Sequence, residues 1–321
     1  MALHLTEDDV ARLLTMEACI EAVEEAFRDW AEGAADNRPR VRAAIPGAML
    51  HVLPAASRRL GRMAVKAYAT TLAGRRFVVL LFDAASGDLL AILDADRLGQ
   101  IRTGAASGVA TRRLARADAK VLAILGTGWQ ARGQARAVAC VRRLTAIRAW
   151  GRDRGRLLAF CREIEAECGV PAGPAASADE AARGADIVVT ATAADRPILA
   201  GRAIETGMHL NAVGSNRPDR RELDEQAVRR ADLIVVDSLE QARAEAGDLM
   251  VSSCDEAAQP TFSRAVELAA IVAGRHPGRR SDADVTLFKS LGVGLEDLAA
   301  ASLAYDRAVA CGAGRRFPPE G

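Results

Sequence analysis

The sequence predicts an α/β chain of two domains, one of them a Rossmann-type doubly wound parallel sheet. Three observations predict it. From 40 to 95, short apolar runs are separated by Gly, Pro, Ser and Asp, which is the pattern of an antiparallel sheet. After Asp118 the apolar runs alternate with helical stretches, so those strands pair in parallel with both faces covered. The first of these runs, VLAIL, ends in the glycine turn Gly126-Thr127-Gly128 at the mouth of a helix. A length of 321 residues fits two domains at roughly 150 residues each.

Residues 6–32 read as one amphipathic helix. Thr6 is the N-cap and Asp9, three positions on, the acidic half of a capping box. Leu13, Met16, Ile20, Val23, Phe27 and Trp30 recur near helical spacing. The runs AMLHVLP, RMAVKAYAT, RFVVLLFD and LLAILD read as strands, with a turn at Ser86-Gly87-Asp88. An alanine-rich helix is expected over 103–117, opening at Thr103. VLAIL (121–125) and AIRAW (146–150) read as strands, each followed by a helix, over 129–143 and 153–167. DIVVT (186–190), HLNAV (209–213) and LIVVD (233–237) are further short apolar runs. A Gly/Pro/Arg-rich loop covers 274–281, and an amphipathic helix over 294–311 is expected to return to the first domain.

Composition narrows the function classes. The 43 Lys and Arg against 42 Asp and Glu leave a net charge of +1, without the cation excess of a nucleic-acid face. Aromatics at 4% argue against base-stacking platforms. Alanine occurs 68 times, which suits closely packed helices. Cysteines 19, 140, 161, 168, 254 and 311 form no CxxC pair, and the four histidines are scattered without HExxH, so no metal site is expected. Reduced thiols and the polar start MALHLTEDDV lead us to expect a cytoplasmic protein with no signal peptide. No apolar run approaches the roughly 18 residues of a membrane span.

Gly126, Gly128 and Ala131 form GxGxxA between a strand and a helix. The first glycine permits the turn, the second lets a pyrophosphate reach the backbone, and the small third residue lets helix and strand pack. The helix N-terminus then offers free N–H groups to the phosphates. The ribose discriminator falls about 20 residues on, at Trp150-Gly151-Arg152-Asp153. Gly151 stands where an NAD site carries an acid, and Arg152 follows, so NADP(H) is preferred and NAD(H) remains possible. Asp153 counts against that preference should the strand run longer.

Lysine occurs only three times, at Lys66, Lys120 and Lys289, beside 40 arginines. Lys66 lies inside a strand, where it is either an edge residue facing water or a functional amine able to titrate. Two arginine sites suit a small carboxylate: Arg40, with Arg42 nearby, and Arg102, next to the expected helix start at Thr103.

These motifs together resemble the ornithine cyclodeaminase/mu-crystallin family. The carriers are PRVRAAIPG (39–47), VKAYAT (65–70), IRTGAASGVATRRLA (101–115), AILGTGWQA (123–131), HLNAVGSNRPDRRELD (209–224), EAGDL (245–249) and VTLFKSLGVGLEDLAAA (285–301). The resemblance implies a Rossmann domain over 118–289. It also implies an α+β substrate-binding and dimerisation domain built from 1–117 with 290–321, and hence a homodimer. It matches Arg40, Lys66 and Arg102 to substrate contacts, with Arg42 as an alternative to Arg40. It matches Thr103, Gly128 and Gln130 to contacts with the cofactor phosphates. Gly126, Trp129, Arg152, Thr192, Gly214 and Ser215 complete the cofactor-binding candidates. Cyclodeaminases that resemble this chain carry an aspartate where Asn216 stands. An amide cannot take a proton at neutral pH. The expected activity is therefore NAD(P)H-dependent reduction of a small 2-imino acid, of the ketimine or 1-pyrroline-2-carboxylate type, with Lys66 and Asn216 as the catalytic candidates. The alternatives are an ornithine cyclodeaminase and a crystallin-like binding protein with little turnover. No nucleic-acid or membrane partner is expected.

Overall fold

The computed structural model describes residues 2–250 and 261–317. The chain divides into two compact units, Met1–Ala105 with Gly292–Gly321, and Ala106–Leu291. The division falls inside a helix rather than at the expected boundary of 117.

The first unit opens with β1 (Ala2–Leu5), α1 (Glu7–Leu13) and α2 (Met16–Ala31), followed by β2 (Ala35–Asn37), β3 (Val41–Ile45), β4 (Ala48–Ser57), β5 (Arg62–Thr71), β6 (Gly74–Asp83), β7 (Leu89–Asp94) and the start of α3 (Asp96–Leu114). The second unit holds β8 (Val121–Leu125), α4 (Trp129–Val141), β9 (Ala146–Trp150), α5 (Arg154–Cys168), β10 (Ala172–Pro174), α6 (Ala178–Ala182), β11 (Ile187–Thr190), β12 (His209–Ala212), α7 (Glu225–Arg229), β13 (Leu233–Val236), α8 (Leu239–Glu245), β14 (Ala265–Glu267), α9 (Leu268–Val272) and β15 (Thr286–Lys289). The chain then re-enters the first unit with α10 (Gly294–Cys311) and β16 (Arg315–Phe317).

In the first unit, β3 to β7 form an antiparallel meander in the order β7-β6-β5-β4, with β2 and β3 both pairing β4. The two chain ends extend this sheet: β1 runs parallel to β7, and β16 antiparallel to β1. Helix α10 packs on α2 and across β4 and β5. Lys66 therefore sits in a central strand, level with Leu53 of β4 and Val79 of β6, and is not an edge residue.

In the second unit every strand pair is parallel, in the order β10-β9-β8-β11-β12-β15-β13-β14. The chain starts at β8, runs outward to β10, then crosses back to β11. The order thus reverses between β8 and β11, and ligands of open α/β sheets bind beyond the strand ends at such a reversal. Leu122, Val188, Leu210, Ile234 and Leu287 are buried at the centre of this sheet, as strands covered on both faces require.

Two expected helices differ. The helix expected over 6–32 is two helices. The Thr6–Asp9 capping box forms, but Leu14 is extended and Thr15 caps α2 through Ala18 N, because its hydroxyl offers the backbone a second start. Helix α3 begins at Asp96, not Thr103. Its first N–H groups, those of Asp96 and Arg97, donate to the Glu7 carboxylate at 2.7 and 2.8 Å. That cap lies 89 residues away, and no local signal announces it. Strands β1, β2, β3, β10, β14, β15 and β16 were not expected, being short or at the chain ends.

Cys19, Cys140, Cys161, Cys168 and Cys311 are free thiols, and Cys254 lies outside the described residues. Among the described residues, no helix is long and apolar enough to cross a membrane.

Candidate active site

The second unit contains a dinucleotide cradle in form. Gly126 follows β8 with a φ of 121°, and a side chain there would collide with the Ala191 carbonyl. The fold alone accounts for that glycine. Nothing in the fold accounts for Gly128: a β-carbon added to it meets no atom within 4 Å. It is exposed and caps α4 without a side-chain bond, so the first N–H groups of the helix lie behind an open surface. Such a surface fits a pyrophosphate. The Oε1 of Gln130 is buried there with no hydrogen-bond partner, and Trp129 is partly exposed at the start of α4. Arg132 fixes the loop from the helix side, donating to the Thr127 and Gly128 carbonyls at 2.9 and 3.1 Å.

The second strand of this unit stops at Trp150. Gly151 follows, and Arg152 is exposed. Asp153 is the N-cap of α5 and accepts from Arg156 N at 2.9 Å, so it belongs to the helix and not to the strand end.

Three buried ionisable residues shape the loops beyond β11 and β12. Glu222 accepts from Thr192 N and Oγ1 at 2.6 Å, Thr190 Oγ1 at 2.7 Å and Gly214 N at 2.8 Å. Burial raises its pKa, and these donors oppose the rise. Asp248 accepts from the backbone N–H groups of Glu222 and Leu223. Lys289, at the end of β15, pairs with Asp248 at 2.8 Å and donates to the Ser215 carbonyl at 2.6 Å. Thr192, Gly214 and Ser215 are thereby held in one framework. Asn216, half-buried, follows directly in the same loop.

The first unit gathers buried charge. Arg40, Lys66 and Arg102 are 8%, 3% and 7% exposed, so none is a surface cation. Lys66 Nζ donates to Asp297 Oδ1 at 2.9 Å, and Arg102 Nε lies 2.9 Å from the same oxygen. Arg102 Nη1 donates to Glu296 Oε2 at 2.7 Å, and Arg40 Nη2 to the Gly292 carbonyl at 3.0 Å. Gly292 has a φ of 74°, and a side chain on it would run into the Arg102 guanidinium. Burial first, then the charges of Arg102 and Arg40, bring the Lys66 pKa down to about 8, against the pull of Asp297. Arg42 lies in β3 opposite His51. Burial and then the charges of Arg42, Arg40 and Arg75 bring the His51 pKa down to about 4.

A sequence model of the ornithine cyclodeaminase/mu-crystallin family matches residues 2–312. The chain belongs to this family. It is 42% identical over 240 residues to a Delta(1)-pyrroline-2-carboxylate reductase of Bacillus cereus, covering 75% of this chain and 73% of that one. It is 38% identical over 237 residues to the ketimine reductase mu-crystallin of Mus musculus, covering 74% and 71% of the two chains. Its fold matches the Delta(1)-pyrroline-2-carboxylate reductase of Thermococcus litoralis, solved with NADH and L-proline. The TM-score is 0.93 at 34% identity, over 98% of this chain and 100% of that one.

Within this cyclodeaminase/mu-crystallin fold, the expected residues fall into two sets. Arg40, Lys66 and Arg102 meet in the first unit, and Gly126, Gly128, Trp129, Gln130, Thr192, Gly214 and Ser215 lie at the strand ends of the second. Arg102 does not stand at the helix start that was expected beside it. Arg102 and Thr103 sit inside α3, and the Thr103 hydroxyl donates to the Gly99 carbonyl at 2.7 Å, so no helix N-terminus adjoins them. Five residues that organise these networks carried no predicted role: Glu222, Asp248, Lys289, Glu296 and Asp297. The rarity of lysine that drew notice to Lys66 applies equally to Lys289. The adjacent acids of Gly-Leu-Glu-Asp-Leu, set in an apolar helix start, were the corresponding signal for Glu296 and Asp297.

Proposed function

We propose that this chain is an NAD(P)H-dependent reductase of small 2-imino acids, of the ketimine or 1-pyrroline-2-carboxylate type. The observation that carries the reading is the buried Lys66 held beside Arg102 and under the influence of Arg40. Two guanidinium groups suit a carboxylate. An ammonium with a pKa near 8 suits proton donation to an imine nitrogen at neutral pH. A bound dihydronicotinamide supplies the hydride. Arg40 and Arg102 hold the carboxylate, and Lys66 gives its proton to nitrogen as the carbon bearing the carboxylate gains the hydride. The C=N bond thus becomes CH–NH, and Lys66 is left neutral.

Gly126, Gly128, Trp129, Gln130, Thr192, Gly214 and Ser215 hold the dinucleotide in this reading. Arg152 without a competing acid favours NADPH over NADH. Asn216 supports reduction over ornithine deamination, since its amide orients by hydrogen bonding but takes no proton. The partner in assembly is a second copy, meeting through the apolar surface of β3 and β4. Val41 is 62%, Ile45 73% and Leu50 46% exposed there, beside a shallow depression lined by Ala43, Ala44, Met49 and Ala69.

The purified protein, given 1-pyrroline-2-carboxylate with NADPH or NADH, should consume the reduced nucleotide and form proline. Ammonia release from ornithine without net nucleotide turnover would instead identify a cyclodeaminase. Tight ligand binding with neither reaction would identify a binding protein.

A further inference from the structure

Asp297 occupies an unusual electrostatic position. It is fully buried in the first turn of α10, and its Oδ1 meets both Lys66 Nζ and Arg102 Nε at 2.9 Å. Its Oδ2 is buried with no hydrogen-bond partner, so the cations that hold the charge both arrive at one atom. The helix start that carries it is anchored. Leu295 N donates to Asn37 Oδ1 at 3.0 Å, and a side chain on Gly294 would strike the carbonyls of Pro54 and of Leu53, the cross-strand neighbour of Lys66. Glu296 takes the other arm of Arg102. Around Nζ stand the Phe77 ring of β6 at 5.6 Å, Gly99 and Arg102 of α3, Arg40 ahead of β3, and Asp297 of α10. Within the field of Glu296, Arg102 and Asp297, the thiol of Cys19 in α2 is buried, which pushes its pKa up to about 12 and keeps it neutral.

We propose that Asp297 is a positioning residue for imine reduction, its single oxygen Oδ1 aiming the Lys66 ammonium at the substrate nitrogen and the Arg102 guanidinium at the substrate carboxylate. This rests on the reductase reading. Of the charged groups around Lys66, Arg102 and Arg40 oppose its proton and Asp297 retains it. Removing that charge leaves a buried ammonium among cations, so its proton is lost at lower pH. A carboxylate that merely packed would leave the titration of Lys66 alone.

The three lysines of the chain make the test direct, because a protein labelled with carbon-13 lysine shows only three side-chain ε signals, and Lys66→Met identifies the one of interest. In Asp297→Asn the Lys66 midpoint should fall by at least about one pH unit, a tenfold change in its ionisation constant. The alkaline limb of kcat/KM for 1-pyrroline-2-carboxylate should fall with it. Asp297→Glu keeps the charge and lengthens the arm. Its midpoint should stay near the wild-type value while kcat drops and the KM for NADH holds. An unmoved midpoint in Asp297→Asn overturns the proposal, as does an undiminished kcat in Asp297→Glu. Should Asp297→Asn not fold, Asp297→Glu decides through kcat. Should the wild-type protein fail to reduce the imine, the reductase reading falls, and the lysine titration still decides whether Asp297 holds the Lys66 proton.

Discussion

Lys289 donates to the backbone carbonyl of Ser215 at 2.6 Å from a fully buried position. A strand of the second unit thereby grips the loop that carries Gly214, Ser215 and Asn216. The same ammonium balances Asp248, which in turn holds the backbone of Glu222.

Replacing Lys289 with methionine keeps the stem and leaves Asp248 buried and unbalanced. Breaking one side of a buried ion pair costs about 3–5 kcal/mol. Urea unfolding should show a loss of that size, and titration of the folded variant with NADH should show weaker binding. Unchanged stability and affinity would mean that the framework does not depend on the pair.

Arg152 is exposed beside the end of β9, and Asp153 is engaged as the cap of α5. Wild-type protein should bind NADPH more tightly than NADH. Arg152→Ala should erase most of that preference while sparing NADH, because only contact with the 2′-phosphate is lost. Equal affinities in the wild-type protein would remove the basis for the assignment.

His209 is fully buried against Thr286, 2.9 Å from its hydroxyl. Burial first, then the charges of Arg279 and Arg142, bring its pKa down to about 3. The folded state keeps the ring neutral where the unfolded chain protonates it, below a pH of about 6.5. Its contribution to stability is therefore complete above that pH. It declines as pH falls toward 3, by up to about 1.4 kcal/mol per pH unit. Urea midpoints measured from pH 7 down to pH 5 should fall further for wild type than for His209→Gln. Parallel pH dependences would show that the histidine is not the group responsible.

The exposed apolar residues Ile45 and Leu50 lie on neighbouring strands of the first unit. Light scattering at micromolar concentration should give twice the chain mass for the wild-type protein. The double substitution Ile45→Asp with Leu50→Asp should give the single mass, since two buried carboxylates without partners oppose association. A monomeric wild type would exclude the dimer.

Local chemistry made much of the second unit legible. VLAIL and AIRAW are β8 and β9 to the residue, because a strand in a sheet covered on both faces shows as a mainly apolar run, broken in β9 by Arg148 alone. The capping box at Thr6 and the end of α10 at the left-handed Gly312 were equally readable, since a cap and a glycine stop act within a few residues of themselves. Lysine scarcity singled out Lys66. Tertiary structure alone decided what holds these groups. Asp297 lies 231 residues from Lys66, and Glu7 caps a helix 89 residues away. A buried charge is stable only beside a compensating group, and the backbone path of the fold, not the local pattern, decides which distant residue supplies it. For the same reason Lys289 looked like Lys66 in sequence and proved to serve a loop, while Arg102 lost its expected helix end and gained two carboxylates instead.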